Sequence, residues 1–326
     1  MLDQYSRNID YIRISVTDRC NLRCIYCMPQ TSKTYLRQEE LLTYDEIVKL
    51  AGIYRSLGIK NVKLTGGEPL VREHVEELIF RLKKECGMEK VTLTTNGILL
   101  EQQLDGLVKA GLDGVNISLD TLNPEHYNSL TGGCHVDRNP FDGNLEVVLR
   151  GMRKAQKQAG ISVKVNCVLM HQTREELLAL AELAKDGVNV RFIELMPIGH
   201  AEVGDSYGFV SNQEILDRFP ELIPADDEKF SVSKNYRLPD GKGKVGLISA
   251  LSNHFCASCN KIRLTSDGKI KPCLHSNEEI DMKGPLRLSD EELLDALRAS
   301  VGHKVEHHML NEGAAPIERD MNKIGG

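Results

Sequence analysis

Several features that mark particular protein classes are missing from this sequence of 326 residues. It has no tryptophan and few aromatic residues of any kind, which argues against a surface that stacks the bases of nucleic acid. Its formal net charge of −6 also argues against a polyanionic polymer as a partner. A small anionic ligand in a locally basic pocket stays compatible with this composition.

Long apolar runs are absent as well. None approaches the ~20 residues that a membrane-spanning helix needs. The first residues lack the apolar core of a secretory signal, and the acidic Asp3 and Asp10 do not suit a transit peptide. We therefore expect a cytoplasmic protein with no membrane association. In a reducing compartment, the nine cysteines indicate metal binding or catalysis, not disulfides.

Six of these cysteines form two triplets near opposite ends of the chain. The members of the first triplet are Cys20, Cys24 and Cys27, directly after a strand-like run. Three thiolates so close can hold one metal centre, and no fourth ligand follows locally. In a cubane iron–sulfur cluster, three cysteines leave one iron open for a non-protein ligand. An open coordination position is typical of a working metal rather than a structural one.

The members of the second triplet are Cys256, Cys259 and Cys273. Between its second and third cysteines, Asp267-Gly268 predicts a two-residue hairpin turn. That turn would place the last cysteine opposite Ile262 and close to the other two. Again no fourth thiolate is evident, although His254 and His275 are near. A zinc site closed by one of these histidines is the alternative, because structural zinc takes four ligands.

Short β-branched strands alternate with amphipathic helices from residue 9 to about residue 196. The predicted strands are Ile9–Val16, Asn61–Thr65, Lys90–Thr95, Gly114–Leu119, Ser162–Met170 and Val188–Leu195. The predicted helices are Tyr44–Ser56, Arg72–Cys86, Glu101–Ala110, Asn144–Ala159 and Arg174–Asp186. Such alternation predicts parallel pairing with right-handed crossovers. Six units fall short of an eight-unit barrel. We predict an α/β fold: a partial (βα)6 TIM-type barrel over residues 1–199, and a C-terminal α+β extension over residues 200–326.

One face of these strands is persistently polar. The residues on it are Arg13, Ser15, Thr17, Lys63, Thr65, Thr92, Thr94, Asn116, Ser118, Asp120, Lys164 and Asn166. A tightly packed barrel would place bulky aliphatic side chains there. The pattern predicts a wide, wet lumen that holds a ligand. Alternatively, these residues satisfy one another or bind water.

Two loops follow strands at the same predicted edge as the first triplet. One is Gly66-Gly67-Glu68-Pro69, and the other is Thr94-Thr95-Asn96-Gly97. Ligands of parallel α/β proteins bind at the carboxyl ends of the strands, so these loops and the triplet would gather around one site. Basic residues occupy the same face, which indicates a small molecule that carries phosphate. They are Arg13, Lys63, Lys164, Arg191, Lys261 and Arg263.

The remaining motifs carry less information. The insert Thr131–Gly143 is typical of a surface loop, and Cys134 and His135 within it are weak evidence for a metal. Ser289 opens a capping box for a helix that extends to about Val301. Three histidines follow it, and a solvated helix end explains them better than a metal site. They are His303, His307 and His308.

Taken together, these motifs resemble the radical S-adenosylmethionine superfamily, through Cys-x-x-x-Cys-x-x-Cys with Tyr26 before the last cysteine and through Gly-Gly-Glu-Pro. More narrowly, the chain resembles the GTP 3′,8-cyclases of molybdenum-cofactor biosynthesis. That likeness rests on the segment Arg13–Pro29, the strand Arg191–Met196, the hairpin between the cysteines of the second triplet, and the final Gly-Gly. It covers essentially the whole chain.

The resemblance implies two 4Fe–4S clusters, one on each triplet, with S-adenosylmethionine on the open iron of the first and the guanine of GTP on that of the second. The implied contacts to S-adenosylmethionine are Tyr26, Gly67, Glu68, Ser118 and Met196. The implied contacts to GTP are Arg13, Lys63, Thr94, Lys164, Lys261, Ile262 and Arg263. Further contributors to the active site would be Arg191, Gly325 and Gly326. The glycine tail would then enter the site instead of fraying.

The implied reaction is the removal of the ribose 3′ hydrogen as an atom, followed by closure of C3′ onto guanine C8. The family also implies a homodimer, a low-potential electron donor and a downstream cyclic pyranopterin monophosphate synthase. Lys63 and Lys261 stand where members of the family carry arginine. Lysine keeps the positive charge but loses the two-pronged phosphate contact of arginine. The alternatives are a peptide-modifying radical enzyme with an auxiliary cluster and a non-catalytic zinc-binding interaction protein.

Overall fold

The structure, a computed structural model, describes residues 1–28, 35–132, 145–199, 209–226, 231–310 and 317–325. Its strands are β1 (Tyr11–Ser15), β2 (Asn61–Thr65), β3 (Lys90–Thr95), β4 (Gly114–Ser118), β5 (Ser162–Leu169), β6 (Asn189–Glu194), β7 (Ile223–Pro224), β8 (Lys234–Arg237), β9 (Val245–Ile248), β10 (Lys261–Leu264), β11 (Lys269–Lys271) and β12 (Ile280–Asp281). Its α-helices are α1 (Tyr44–Ser56), α2 (Val75–Lys84), α3 (Leu100–Lys109), α4 (Pro124–Thr131), α5 (Leu145–Gln156), α6 (Arg174–Glu182), α7 (Gln213–Arg218), α8 (Asp290–Gly302) and α9 (Met321–Ile324).

The strands of the described ranges form one sheet in the order β12-β11-β10-β1-β2-β3-β4-β5-β6-β9-β8-β7. Every neighbouring pair from β10 to β9 is parallel. Antiparallel strands extend both edges. The sheet ends in two separate edges, so the barrel is open. This confirms the predicted partial TIM-type barrel.

The six predicted strands correspond to β1–β6. The C-terminal region adds two parallel neighbours that the alternation did not reveal, because β9 lies beside β6 and β10 lies beside β1. Residues from both sides of the predicted boundary at 199/200 therefore share one sheet. The boundary itself stays a prediction.

Alternating side chains divide the sheet into an apolar outer face and a polar inner face. Ile12 and Ile14 of β1 and Val62 of β2 are fully buried in the main apolar core. Their polar neighbours Arg13 and Lys63 point the other way and line a cavity. This arrangement follows from the two-residue repeat of a strand, and it positions the predicted site residues inside the barrel.

Four predicted helices begin or end at other residues than expected, α3 and α5 by only one to three residues. The segment Arg72–Cys86 is helical only from Val75, because Pro69–Val71 forms a short 3₁₀ turn and His74 has a left-handed φ of 58°. Helix α6 ends at Glu182 and continues as a 3₁₀ turn. The capping box predicted at Ser289 is formed, and Thr43 opens a further box at the start of α1.

The hairpin near the second triplet has a longer turn than predicted. The observed pairs are Arg263 with Lys271 and Leu264 with Ile270. Residues 265–268 therefore connect β10 to β11, Thr265 N donates to Lys269 O at 2.8 Å, and Gly268 has a left-handed φ of 85°. Extending this register places Cys273 opposite Lys261, so the predicted pairing with Ile262 is wrong by one residue. The cause is the extra turn residue, which a two-residue Asp-Gly turn would not need.

The C-terminal segment is seated on the barrel by a small apolar cluster of its own. Ile317 and Ile324 pack against Ile198, which follows β6. Ile317 also forms a single parallel bridge with Ile198. This packing directs residues 317–325 toward the carboxyl ends of the strands. Among the helices described here, none has the length and apolar character to span a bilayer.

Two glycines offer a matched test of backbone conformation. A Cβ added at Gly106 or at Gly187 would meet no atom within 4 Å. Gly106 lies within α3, whereas Gly187 has a left-handed φ of 88° after the 3₁₀ turn. We expect Gly106→Ala to raise the free energy of unfolding by about 0.5–1 kcal/mol. Gly187→Ala should lower it by about 1–2 kcal/mol. Urea unfolding of both variants tests this, and equal effects would contradict the assigned backbone at Gly187.

Candidate active site

The first triplet lies in the loop after β1 and lines a cavity of about 200 Å³, here called the cysteine chamber. The cysteines contact one another electrostatically, and burial raises the pKa of each thiol, to about 12 for Cys20 and Cys27. Thiolates are therefore costly here unless a cation offsets their charge. An iron–sulfur cluster supplies positively charged iron to three such sulfurs. The donor set fits that group.

The Gly66-Gly67 pair brings two backbones together at the edge of the cysteine chamber. A Cβ at Gly67 would lie 2.4 Å from the carbonyl oxygen of Arg19, the residue before the first triplet. Gly67 N donates to Thr17 O at 2.7 Å, and Glu68 N donates to Arg19 O at 2.8 Å. The glycines therefore allow the strand-two loop to support the loop that carries the cysteines.

The Glu68 carboxylate joins the two predicted ligand loops. Its Oε1 accepts from Thr95 Oγ1 at 2.8 Å and from Leu70 N at 3.0 Å, while Oε2 accepts from Asn96 N at 2.6 Å. Burial raises its pKa to about 7, although these hydrogen bonds oppose the rise. Asn96 in turn donates from Nδ2 to Asn21 Oδ1 at 2.7 Å. Glu68 lines the cysteine chamber, but both of its carboxylate oxygens already accept hydrogen bonds from the protein.

Tyr26 anchors the cysteine loop to the far side of the sheet. Its hydroxyl donates to Asp120 Oδ2 at 2.8 Å, and Asp120 Oδ1 accepts from Val168 N at 2.8 Å. Burial raises the pKa of Asp120 to about 6 and that of Tyr26 well above its usual value. The sequence placed Asp120 on the polar face of the strands, but it gave no sign that Asp120 pairs with Tyr26.

The other predicted S-adenosylmethionine contacts lie in the same place. Gly67, Ser118 and Met196 all line the cysteine chamber. Thr94 also lines it, and its hydroxyl is buried with no hydrogen-bond partner among the described residues. The same holds for the amide oxygen of Asn166. Buried polar atoms are normally paired, so these two point to a ligand.

A second cavity of about 310 Å³, here called the basic chamber, adjoins the first. Arg13, Asn166 and Ile193 line both. The basic side chains of this second cavity are Arg13, Lys63, Lys90, Lys164, Arg191 and Lys261. One acid, Asp10, also lines it and accepts from Asn260 Nδ2 at 2.6 Å. The structure thus brings together most of the predicted GTP contacts.

The cations of the basic chamber lower one another's pKa. Burial lowers the pKa of Lys63 well below its usual value, and the charges of Arg13 and Arg191 lower it further. Burial also lowers the pKa of Lys261 to about 8, although the nearby Cys259 opposes the shift. A bound polyanion would relieve this repulsion. Ile262 differs from its neighbours: its side chain is fully buried in the apolar core, so only its backbone could contribute.

The second triplet flanks the basic chamber through β10, where Lys261 follows Cys259 by two residues. Cys256 begins a 3₁₀ turn, and its thiol interacts electrostatically with those of Cys259 and Cys273. Burial would raise the pKa of Cys259, but the cations Lys304 and Lys261 outweigh it and the pKa is lowered. No group of three His, Cys, Asp or Glu side chains in the described ranges is arranged to hold a single ion. The fit of either triplet to a cluster therefore rests on its sulfur donors.

The nearby histidines occupy defined positions. His275 Nε2 lies 3.0 Å from the sulfur of Met196. His308 is buried, packs edge-on against the His275 ring, and has Nε2 at 2.8 Å from Ala250 O. The expectation of a solvated helix end is therefore wrong for His308, because the chain turns inward after α8. His303 caps that helix, with Nδ1 at 2.6 Å from Glu278 Oε1.

The C-terminal segment enters the cysteine chamber. Arg263 Nη1 donates to Gly325 O at 2.5 Å, and a Cβ at Gly325 would collide with Thr65 Oγ1 at 2.3 Å. Asn322 Nδ2 donates to Asp18 O at 2.9 Å, close to the first triplet. Gly326, Cys134 and His135 lie outside the described residues. Sequence reasoning expected a glycine tail here but not the role of Asn322.

Comparison with known proteins gives two family matches. Residues 14–184 match the model described as Radical SAM superfamily, and residues 188–310 match that described as Molybdenum Cofactor Synthesis C. The chain is 44% identical over 329 residues to the GTP 3′,8-cyclase of Alkaliphilus oremlandii, with full coverage of both chains. It is 42% identical over 335 residues to that of Moorella thermoacetica, also with full coverage of both.

Solved structures share the fold at low sequence identity. Streptococcus suis SuiB bound to S-adenosylmethionine superposes with a TM-score of 0.65 at 14% identity, covering 98% of this chain and 77% of that one. Native anSMEcpe with bound AdoMet gives 0.58 at 16% identity, covering 93% and 86%. These likenesses support the open barrel alone.

An ion triad holds the C-terminal segment in place. Arg319 Nη1 lies 2.7 Å from Glu279 Oε2, and Nη2 lies 2.6 Å from Asp267 Oδ1. All three side chains are mostly buried. We expect Arg319→Met to weaken the docking of residues 317–325 by about 2 kcal/mol, since two charge-assisted hydrogen bonds are lost. Amide exchange at Asn322 and Gly325 should then accelerate roughly thirtyfold. Arg298→Met, which removes an exposed pair with Asp295, is the control. Unchanged exchange in the first variant would show that other contacts hold the tail.

Proposed function

The chain belongs to the GTP 3′,8-cyclase family of the radical S-adenosylmethionine superfamily, and on that basis we propose that it binds GTP beside S-adenosylmethionine and joins the ribose C3′ to guanine C8. The observation that carries this proposal is the pair of adjoining chambers. One is lined by the first triplet and by Gly66, Gly67 and Glu68, the other is lined by six basic side chains, and Arg13 lines both.

In this proposal, Cys20, Cys24 and Cys27 hold a 4Fe–4S cluster in the cysteine chamber. A cluster held there together with S-adenosylmethionine would supply the radical chemistry that removes H-3′ from GTP. The residues around it bind and orient the cofactor. Ser118, Gly67 and Met196 form the chamber wall, while Glu68 and Tyr26 hold the surrounding loops rigid.

The nucleotide triphosphate is assigned to the basic chamber. Lys63, Lys164 and Lys261 would bind its phosphates. Arg13 and Arg191 line the same cavity and add to its positive charge. Thr94 Oγ1 and Asn166 Oδ1 lie near the junction with the cysteine chamber and are available to bind the sugar or base. This places the ribose between the two chambers, as hydrogen abstraction requires.

A second 4Fe–4S cluster on Cys256, Cys259 and Cys273 belongs to the same proposal. Its three sulfurs lie beside β10, whose Lys261 lines the basic chamber, so a cluster held there would lie close to that chamber. The tail meets the same strand through the contact between Arg263 and Gly325. We further place the enzyme in the cytoplasm as a homodimer that takes electrons from a low-potential donor and passes its product to a cyclic pyranopterin monophosphate synthase.

The alternatives are less well supported. A peptide-modifying enzyme would share the fold of SuiB, but 14% identity is evidence for the fold only. A non-catalytic zinc protein does not agree with membership of this enzyme family. The full-length cyclase relatives and the cationic cavity both favour the nucleotide substrate.

A turnover assay tests the proposed function. Anaerobic reconstitution should load about eight irons per chain, consistent with two cubane clusters. Incubation with GTP, S-adenosylmethionine and a reductant should then release 5′-deoxyadenosine and a cyclised nucleotide. Cys24→Ala is the control that removes a ligand of the first site and should abolish both products. Full iron loading without either product would overturn the assignment, and bound zinc at either triplet would favour the alternative.

The division into two chambers predicts separable binding defects. Lys261→Ala should weaken GTP binding about tenfold or more, because one charge-assisted contact is lost. It should leave the affinity for S-adenosylmethionine within about twofold. Lys154→Ala, on the outer helices and paired with Asp105, should change neither. Isothermal titration of each ligand measures both affinities, and equal losses after Lys261→Ala would show that the assignment of the chambers is wrong.

A further inference from the structure

Lys304 is a buried cation outside the basic chamber. It follows α8 by two residues, and 2% of its surface is exposed. Its ammonium group makes three contacts: Lys261 O at 2.8 Å, Pro272 O at 3.1 Å and Cys259 Sγ at 3.5 Å. Two acceptors are therefore carbonyl oxygens and the third is a sulfur of the second triplet. No carboxylate pairs with Lys304 in the described part of the chain.

These contacts span the two segments that carry the second triplet. Lys261 follows Cys259 by two residues, and Pro272 directly precedes Cys273. One ammonium group thus fixes the spacing between the loop and the far strand of the hairpin. The ladder between β10 and β11 pairs only two residues on each strand. The Lys304 contacts therefore add a further connection between these two segments.

Burial of an ammonium group is expensive unless nearby negative charge offsets it. The basic residue on the other side of the triplet has such a partner: Arg7, which donates to Cys256 O at 3.0 Å, is paired with Asp3. Among the contacts of Lys304, the one group that can carry negative charge is the sulfur of Cys259. The structure therefore places an uncompensated positive charge against sulfurs that become anionic when they bind metal.

We propose that Lys304 is a positioning residue of the second cysteine site, one that holds Cys259 and Cys273 at ligand spacing and stabilises the electron-rich state of the group bound there. This inference rests on the proposed second cluster. Hydrogen bonds and positive charge next to cluster sulfurs favour the reduced state and raise its reduction potential. Lys304 acts through the ligands and is not assigned any contact with substrate.

The test isolates the second site. In the full chain carrying Cys20→Ala, Cys24→Ala and Cys27→Ala, only the second triplet can bind a cluster after anaerobic reconstitution. Lys304→Met removes the charge and the donors, Lys304→Gln keeps a donor without charge, and Lys304→Arg keeps the charge. Lys271→Met is the matched control: Lys271 is equally buried on the same hairpin, and its charge also acts on Cys273, but its direct contacts are Ser276 and Glu279 and not a sulfur.

The readouts are iron release to a chelator and the midpoint potential of the cluster, neither of which depends on turnover. We expect Lys304→Met to release iron about tenfold faster, the lower end of the usual effect of removing a supporting contact. Its midpoint should move to more negative potential. Lys304→Arg should stay near the parent in potential, whereas Lys271→Met should match the parent in iron release and shift the midpoint less than Lys304→Met does. If Lys304→Met does not fold, a more negative midpoint in Lys304→Gln than in Lys304→Arg supports the inference.

Three results would overturn it. Parent-like release and potential in Lys304→Met would show that the contact is incidental, as would equal midpoints in the glutamine and arginine variants if the methionine variant does not fold. Equal defects in Lys304→Met and Lys271→Met would assign the effect to hairpin folding. A parent chain that loads no iron at the second triplet would remove the proposed cluster and this inference with it, a result distinguishable from iron that loads but ignores Lys304.

Discussion

Positive charge inside the barrel is the constraint on which the rest of the arrangement depends. Lys63 and Lys261 are drawn out of water together with the guanidinium of Arg13, and burial together with mutual repulsion lowers the pKa of both lysines. A folded chain tolerates this only if stronger packing elsewhere holds the strands in place. The apolar outer face of the same strands supplies that packing, since Ile12, Val62 and their neighbours are fully buried. The cavity is therefore preorganised for an anion by the sheet itself.

The loops at the carboxyl ends of the strands are held by buried carboxylates that accept hydrogen bonds from backbone amides. Glu68 and Asp120 each accept from a backbone amide and a hydroxyl, and burial raises the pKa of both. The Asp120 carboxylate ties the cysteine loop to β5 through Tyr26 and Val168, and the Glu68 carboxylate ties the loop after β2 to the end of β3. Rigid loops keep the distances between sulfur, cofactor and substrate short and constant, which radical chemistry demands because a misplaced radical reacts with its surroundings.

Much of this could be predicted from the sequence because the signals are local. A two-residue repeat of polar and apolar side chains gave the lumen, and cysteine spacing gave both triplets. The misses are contacts between distant parts of the chain. Nothing around Lys304 or Asn322 distinguishes them from surface residues, and their roles arise only when α8 and the tail pack against the hairpin and the first triplet. The hairpin register failed for a local reason, because an Asp-Gly pair serves two-residue and three-residue turns alike.

The pairing of β1 with β10 joins residues that are about 250 positions apart, Tyr11 opposite Lys261 among them. During synthesis, the first cysteine loop therefore emerges long before one neighbour of its own strand exists. Gly325, which lodges against Thr65, follows later still. The contacts that residues 317–325 make beside the first cysteines can therefore form only after every strand of the sheet has been synthesised.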